Sequence, residues 1–108
     1  SGRVRQVERI ADYIEAHVPA GEPLVVAGDF NDWGAKLDAP MRDMGLRRAT
    51  GTKPGAIEQR TFPSRVPVFS LDRIYTRGFE CRVTLVPRGP AWARMSDHLP
   101  LVAELELV

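Results

Sequence analysis

Two stretches of strict two-residue alternation dominate the second half of this 108-residue chain. Phe79, Cys81, Val83 and Leu85 alternate with Glu80, Arg82 and Thr84, and Leu99, Leu101, Ala103, Leu105 and Leu107 repeat the pattern at the C-terminal end. Successive side chains of a β-strand point to opposite faces, so the pattern predicts two strands with one apolar face each. A helix needs apolar spacings of three and four, which these segments lack. The continuous apolar run Leu24-Val25-Val26-Ala27 predicts a further strand, buried on both faces. Residues 71–76 predict another, joined to residues 79–86 by a hairpin turn at Gly78, and residues 60–62 a short one.

The helical signal is confined to the first half. Val4, Val7, Ile10, Ala11, Ile14 and Val18 share one face of a helix that Pro19 and Gly21 end. A short helix is expected over residues 36–44 with Gly45 as its stop, and residues 49–58 form an exposed loop. The expected fold class is α/β of the α+β type, a single domain over residues 1–108. It consists of a mostly antiparallel sheet with helices on one face. One long helix cannot cover such a sheet, so an apolar face is left over, and burying it is worth about 25 cal/mol per Å². A homodimer through that sheet face is one way to cover it.

Composition narrows the class only slightly. Hydrophobic residues make up 44% and charged residues 27%, ordinary values for a globular protein, and no apolar run approaches a membrane-spanning length. No positively charged start followed by an apolar stretch is visible. The single Cys81 excludes an internal disulfide and suits a reducing compartment, so the expected location is cytoplasmic. A net charge of +1 neither selects nor excludes a polyanionic partner. Arg60, Arg65, Arg73, Arg77, Arg82, Arg88 and Arg94 are the candidates for a basic track.

Chemistry gathers at three strand ends. Gly28-Asp29-Phe30-Asn31 follows the apolar run, Leu71-Asp72-Arg73-Ile74 opens the next long strand, and Ser96-Asp97-His98 precedes the last. If the later strands run antiparallel to the first, Asp29, Asn31, Asp72, Asp97 and His98 converge on one sheet edge. Carboxylates suit a hard cation such as Mg²⁺. An imidazole held by a carboxylate moves protons or stabilises charge, and an asparagine amide donates to a phosphate oxygen. One cysteine and two histidines, with His17 far away on the first helix, make a poor zinc site. Each cluster also has a plain structural reading: Asp29 in a turn, Asp72 paired with an arginine, Ser96 and Asp97 in a local turn.

Together, Gly28-Asp29-Phe30-Asn31, Leu71-Asp72-Arg73-Ile74-Tyr75 and Ser96-Asp97-His98-Leu99-Pro100 resemble the signatures of the endonuclease/exonuclease/phosphatase superfamily, in order, spacing and strand context. Arg60-Thr61-Phe62-Pro63-Ser64-Arg65 resembles a segment of a bacterial branch of it. The resemblance implies metal-dependent hydrolysis of a phosphoester, a phosphodiester in the first instance, by water attack on phosphorus. By it, Asp29 activates the water or protonates the leaving group, Asn31 contacts the scissile phosphate, and Asp72 orients His98. His98 contacts the phosphate or acts as base. Asp97, with Asp29, contributes to a site for Mg²⁺ or Mn²⁺.

The family's first half supplies a metal-binding Glu, an Asn and a further His or Tyr that do not occur here. The resemblance therefore implies the C-terminal half of a four-layer α/β sandwich, a fragment of a longer parent that is inactive alone. Its implied partners are the missing half and a substrate drawn from nucleic acid, phospholipid or small phosphorylated molecules. The alternative is a non-catalytic binding domain that retains the fold.

Overall fold

The computed structural model describes residues 2–30, 37–49, 60–67 and 71–108, with side chains from Glu8 onward. In chain order the elements are helix α1 (Gly2–His17), strand β1 (Leu24–Asp29), helix α2 (Asp38–Asp43), strands β2 (Arg47–Arg48), β3 (Asp72–Arg77) and β4 (Phe79–Leu85), helix α3 (Pro90–Met95) and strand β5 (Val102–Leu107). The fold is α+β, with antiparallel sheets and a few helices.

The strands divide into two sheets rather than one. The first has the order β1-β3-β2, and the second pairs β4 with β5. The expected hairpin at Gly78 does not form, because β4 pairs with β5 and not with β3. The two sides of β3 are taken by β1, in the register Leu24↔Arg77 to Asp29↔Asp72, and by β2, which covers Tyr75 and Thr76. The chain leaves β3 at Gly78, whose φ of 82° favours glycine, and a Cβ there would lie 3.1 Å from the Pro23 Cα. Residues 60–62 make one bridge, at Phe62, instead of a strand.

The core lies between the helices and the three-stranded sheet. Ile14, Leu37, Met41, Leu46 and Tyr75 form its buried centre, with Ile10, Val18, Leu24, Val26 and Phe30 packed against it. Ile10, Ile14 and Val18, spaced by four, supply the apolar stripe of α1. The run at residues 24–27 is covered on one face only. Val25 is 44% exposed, and among the described residues no second layer covers the outer side of β1. Helix α2 closes as the glycine after it requires. Gly45 at φ 79° donates to the Arg42 carbonyl at 2.9 Å, and the Leu46 N–H reaches the Met41 carbonyl at 3.0 Å.

In the second sheet a β-bulge between Cys81 and Val83 resets the alternation. Phe79 and Cys81 sit opposite Leu107 and Leu105, but Val83 meets Glu104 and Thr84 meets Ala103. One extra residue moves every later side chain to the other face. Thr84 is therefore buried and Leu85 is 57% exposed, the reverse of the unbroken pattern.

Met41 is fully buried at the centre of the first sheet's core. Met41→Ala is expected to cost about 2–5 kcal/mol through lost burial and the cavity left behind. Urea unfolding checks this, and a midpoint equal to wild type would show that α2 contributes no packing.

Candidate active site

The antiparallel register sets two carboxylates face to face. Asp29, the last residue of β1, is the direct partner of Asp72, the first of β3, and the ladder continues one bond further as the Phe30 N–H donates to the Leu71 carbonyl at 2.8 Å. Like charges placed opposite one another in a ladder repel, so this strand end needs a cation or proton donors. The pairing is anchored from below. Phe30 meets Tyr75 edge-on, with ring centroids 5.9 Å apart, which ties the residue after Asp29 to the strand that Asp72 opens. The Tyr75 hydroxyl donates to Asp38 at 2.6 Å. Burial, reinforced by that hydrogen bond, pushes the phenol up to about 12, so it stays neutral.

His98 fills the gap between the acids. Its Nδ1 lies 2.6 Å from Asp72 Oδ2, and its Nε2 lies 3.6 Å from Asp29 Oδ2. The same Asp72 oxygen accepts a 2.5 Å hydrogen bond from the hydroxyl of Thr61, which is fully buried. A carboxylate oxygen only accepts, so the Nδ1 position carries the proton and Nε2 is the nitrogen turned toward Asp29. Phe62 covers the imidazole, with ring centroids 4.9 Å apart.

His98 does not arrive by strand alignment, since β5 belongs to the other sheet. The loop of residues 60–67 carries it. The Leu99 N–H donates to the Thr61 carbonyl and the Ser64 N–H to the Asp97 carbonyl, both at 2.7 Å, and buried Leu99 pins the segment.

The hydrogen bond to Asp72 raises the His98 pKa above the ordinary 6.5. Burial opposes the shift, and the charges of Asp72, Asp29 and Asp97 add to it. A raised pKa means the folded state binds the proton more tightly than the unfolded chain does. This contribution to stability is complete below about 6.5 and is lost as pH rises through the higher folded value.

The structure thus brings Asp29, Asp72 and His98 together. Their donor atoms lie within 4.8 Å of one another. Asp97 is exposed and is joined to the loop through its backbone carbonyl, while its side chain is not part of that three-residue group. Asn31 falls outside the described residues. The local-turn reading of Ser96 also holds, because its hydroxyl accepts from the His98 N–H at 3.2 Å. Thr61 is the residue that motif spacing missed. A lone threonine eleven residues before Asp72 has no periodic signal, and only the fold aims it at the carboxylate.

Of the seven track arginines, Arg73 is buried, Arg77 is bound to the Glu22 and Met44 carbonyls, and Arg82 is paired with Glu106. The remaining four are exposed. Two carboxylates and an imidazole form a mainly oxygen donor set, which suits a hard divalent cation better than zinc.

Residues 2–98 match the model of the Endonuclease/Exonuclease/phosphatase family. Similar curated proteins are the uncharacterized protein YbhP of Escherichia coli (strain K12) and the proteins of the same title from Escherichia coli O6:H1 and Shigella flexneri. Each is 35% identical over 105 residues, which is 97% of this chain and 41% of the relative. The chain therefore spans about two fifths of the length of these relatives. No solved structure matches it.

The Asp72 contact is the main reason for the raised His98 pKa, so Asp72→Asn is expected to lower it toward or below the ordinary value. Following the His98 ring resonances against pH by NMR measures this. Identical midpoints in the variant and the wild type would show that the contact does not control the imidazole.

Proposed function

Because the chain belongs to the endonuclease/exonuclease/phosphatase family, whose members are hydrolases of the phosphoesterase and nuclease kind, we propose that Asp29, Asp72 and His98 are its part of a site that hydrolyses a phosphodiester. The observation that carries the reading is the imidazole held between two facing carboxylates, at 2.6 Å from one and 3.6 Å from the other.

In this reading Asp72 accepts the Nδ1 proton, with Thr61 steadying the carboxylate, so the ring cannot turn. His98 enters the reaction protonated and presents its Nε2–H to the phosphoester. Asp29, ionised, takes a proton from the attacking water as the new O–P bond forms. The bond from phosphorus to the ester oxygen breaks, and that oxygen takes the Nε2 proton to leave as an alcohol. The proton on Asp29 then returns to His98 across the 3.6 Å gap, through one water or a small approach of the side chains, which restores the starting state. Asn31 is assigned to a phosphate oxygen from sequence.

Asp29 and Asp97 are the residues assigned to hold Mg²⁺ or Mn²⁺, which when bound neutralises charge on the phosphoryl oxygens. The family's additional metal-binding Glu would come from the rest of a longer parent, consistent with the 41% coverage of the relatives.

In a parent of that length, His98→Ala is expected to lower turnover of bis(4-nitrophenyl) phosphate by ~100-fold or more, whereas the 108-residue chain alone stays near the buffer rate. Undiminished turnover in the parent variant would sink the assignment. Rapid His98-dependent turnover by the short chain would show that it needs no further ligand.

A further inference from the structure

The loop that delivers Thr61 to Asp72 continues into a second feature. Its later residues Ser64, Arg65 and Pro67 line an open cavity of about 390 Å³, together with Arg88, Gly89, Pro90 and Ala93. The loop is fixed on both flanks. The Ser64 N–H donates to the Asp97 carbonyl at 2.7 Å, and its hydroxyl donates to the Ala93 carbonyl at 3.3 Å. The cavity therefore shares one short piece of backbone with the Asp–His site. Arg65 lies four residue steps after Thr61, a span of at most ~14 Å for extended chain.

We propose that this cavity is a subsite for a second phosphate group of the substrate, carried beside the phosphoester that the Asp29–His98–Asp72 site cleaves. The proposal rests on the phosphoesterase reading above and adds a requirement to it: the preferred substrate bears more than one phosphate.

The charge of the lining points that way. Arg65 and Arg88 are among the lining residues, and among the described residues no acidic one lines the cavity. Among the described residues neither Arg65 nor Arg88 has a carboxylate partner, in contrast to Arg82 with Glu106. Arginine presents planar, forked donors that match a phosphate's oxygens two at a time. The acids are concentrated at the neighbouring strand end, so a free anion is repelled there and attracted here. The volume lies within the range of small-ligand sites and exceeds what one phosphate fills, which leaves room for the sugar or alkyl unit joining it to the scissile group.

The test titrates inorganic phosphate into the ¹⁵N-labelled chain at constant ionic strength, following the amides of Ser64, Arg65 and Gly89. These are expected to shift saturably. The double variant Arg65→Gln, Arg88→Gln should weaken binding at least tenfold, whereas Arg82→Gln should leave it unchanged. Both cavity arginines are exposed, so the double variant keeps the fold, and its amide spectrum checks this.

Two further arms separate the sources of the phosphate: the thymidine dinucleotide pTpT and fructose 1,6-bisphosphate. Tighter binding of the first assigns the subsite to a nucleic-acid backbone, and tighter binding of the second assigns it to a phosphorylated small molecule. No saturable shift at the three amides, or equal affinity in the double variant, overturns the subsite. None of these readouts needs turnover, so phosphate binding here together with undiminished turnover in the His98→Ala variant of the longer parent counts against the hydrolytic reading alone.

Discussion

Two aspartates face each other across an antiparallel ladder, and the candidate site is organised by the repulsion between them. Asp29 and Asp72 are register partners at the open end of β1 and β3, where two negative charges are held close by backbone hydrogen bonding that neither side chain can escape. The arrangement is tolerable only with positive charge or donors in the gap. His98 and Thr61 supply them, with both hydrogen bonds converging on one oxygen of Asp72. The hydrogen bond to Asp72, with the charges of Asp72, Asp29 and Asp97 added, explains why His98 holds its proton more tightly than a free imidazole, and the facing carboxylates suit the site to a cation.

The rigidity of that end comes from the core beneath it. Tyr75, three residues along β3 from Asp72, is fully buried, packs edge-on against Phe30 and binds Asp38 through its hydroxyl. Apolar packing therefore fixes the residues flanking both acids, and the carboxylates inherit their separation from it. The buried hydroxyl has a partner, so it does not carry the cost of an unsatisfied polar group in the interior.

The loop of residues 60–67 ties the start of β3 to the segment that carries His98. Its backbone bonds to Asp97 and Leu99, its Thr61 holds Asp72, its Phe62 covers His98, and its far end reaches the cavity beside α3. Changes in this loop would alter imidazole orientation and access to the cavity together.

Much of the local structure was legible in the chain because it rests on short-range rules. The apolar stripe of α1 follows from spacing, the end of α2 from the glycine that follows it, and the strand character of β4 and β5 from alternation. The acid clusters at strand ends were legible for the same reason, since Asp29, Asp72 and His98 each sit at a change of pattern. The tertiary structure decided what depends on edges and register. β3 pairs with β1 along its length and with β2 at Tyr75 and Thr76, while β4 pairs with β5 in a second sheet. A single inserted residue in β4 reverses the burial of Thr84 and Leu85. Arg73, written like a member of a basic surface, is buried. Thr61 carries no signature because its role is a contact eleven residues away through space. Periodicity records which way a side chain faces along its own strand, but which strand lies alongside is set by long-range pairing, which no local pattern encodes.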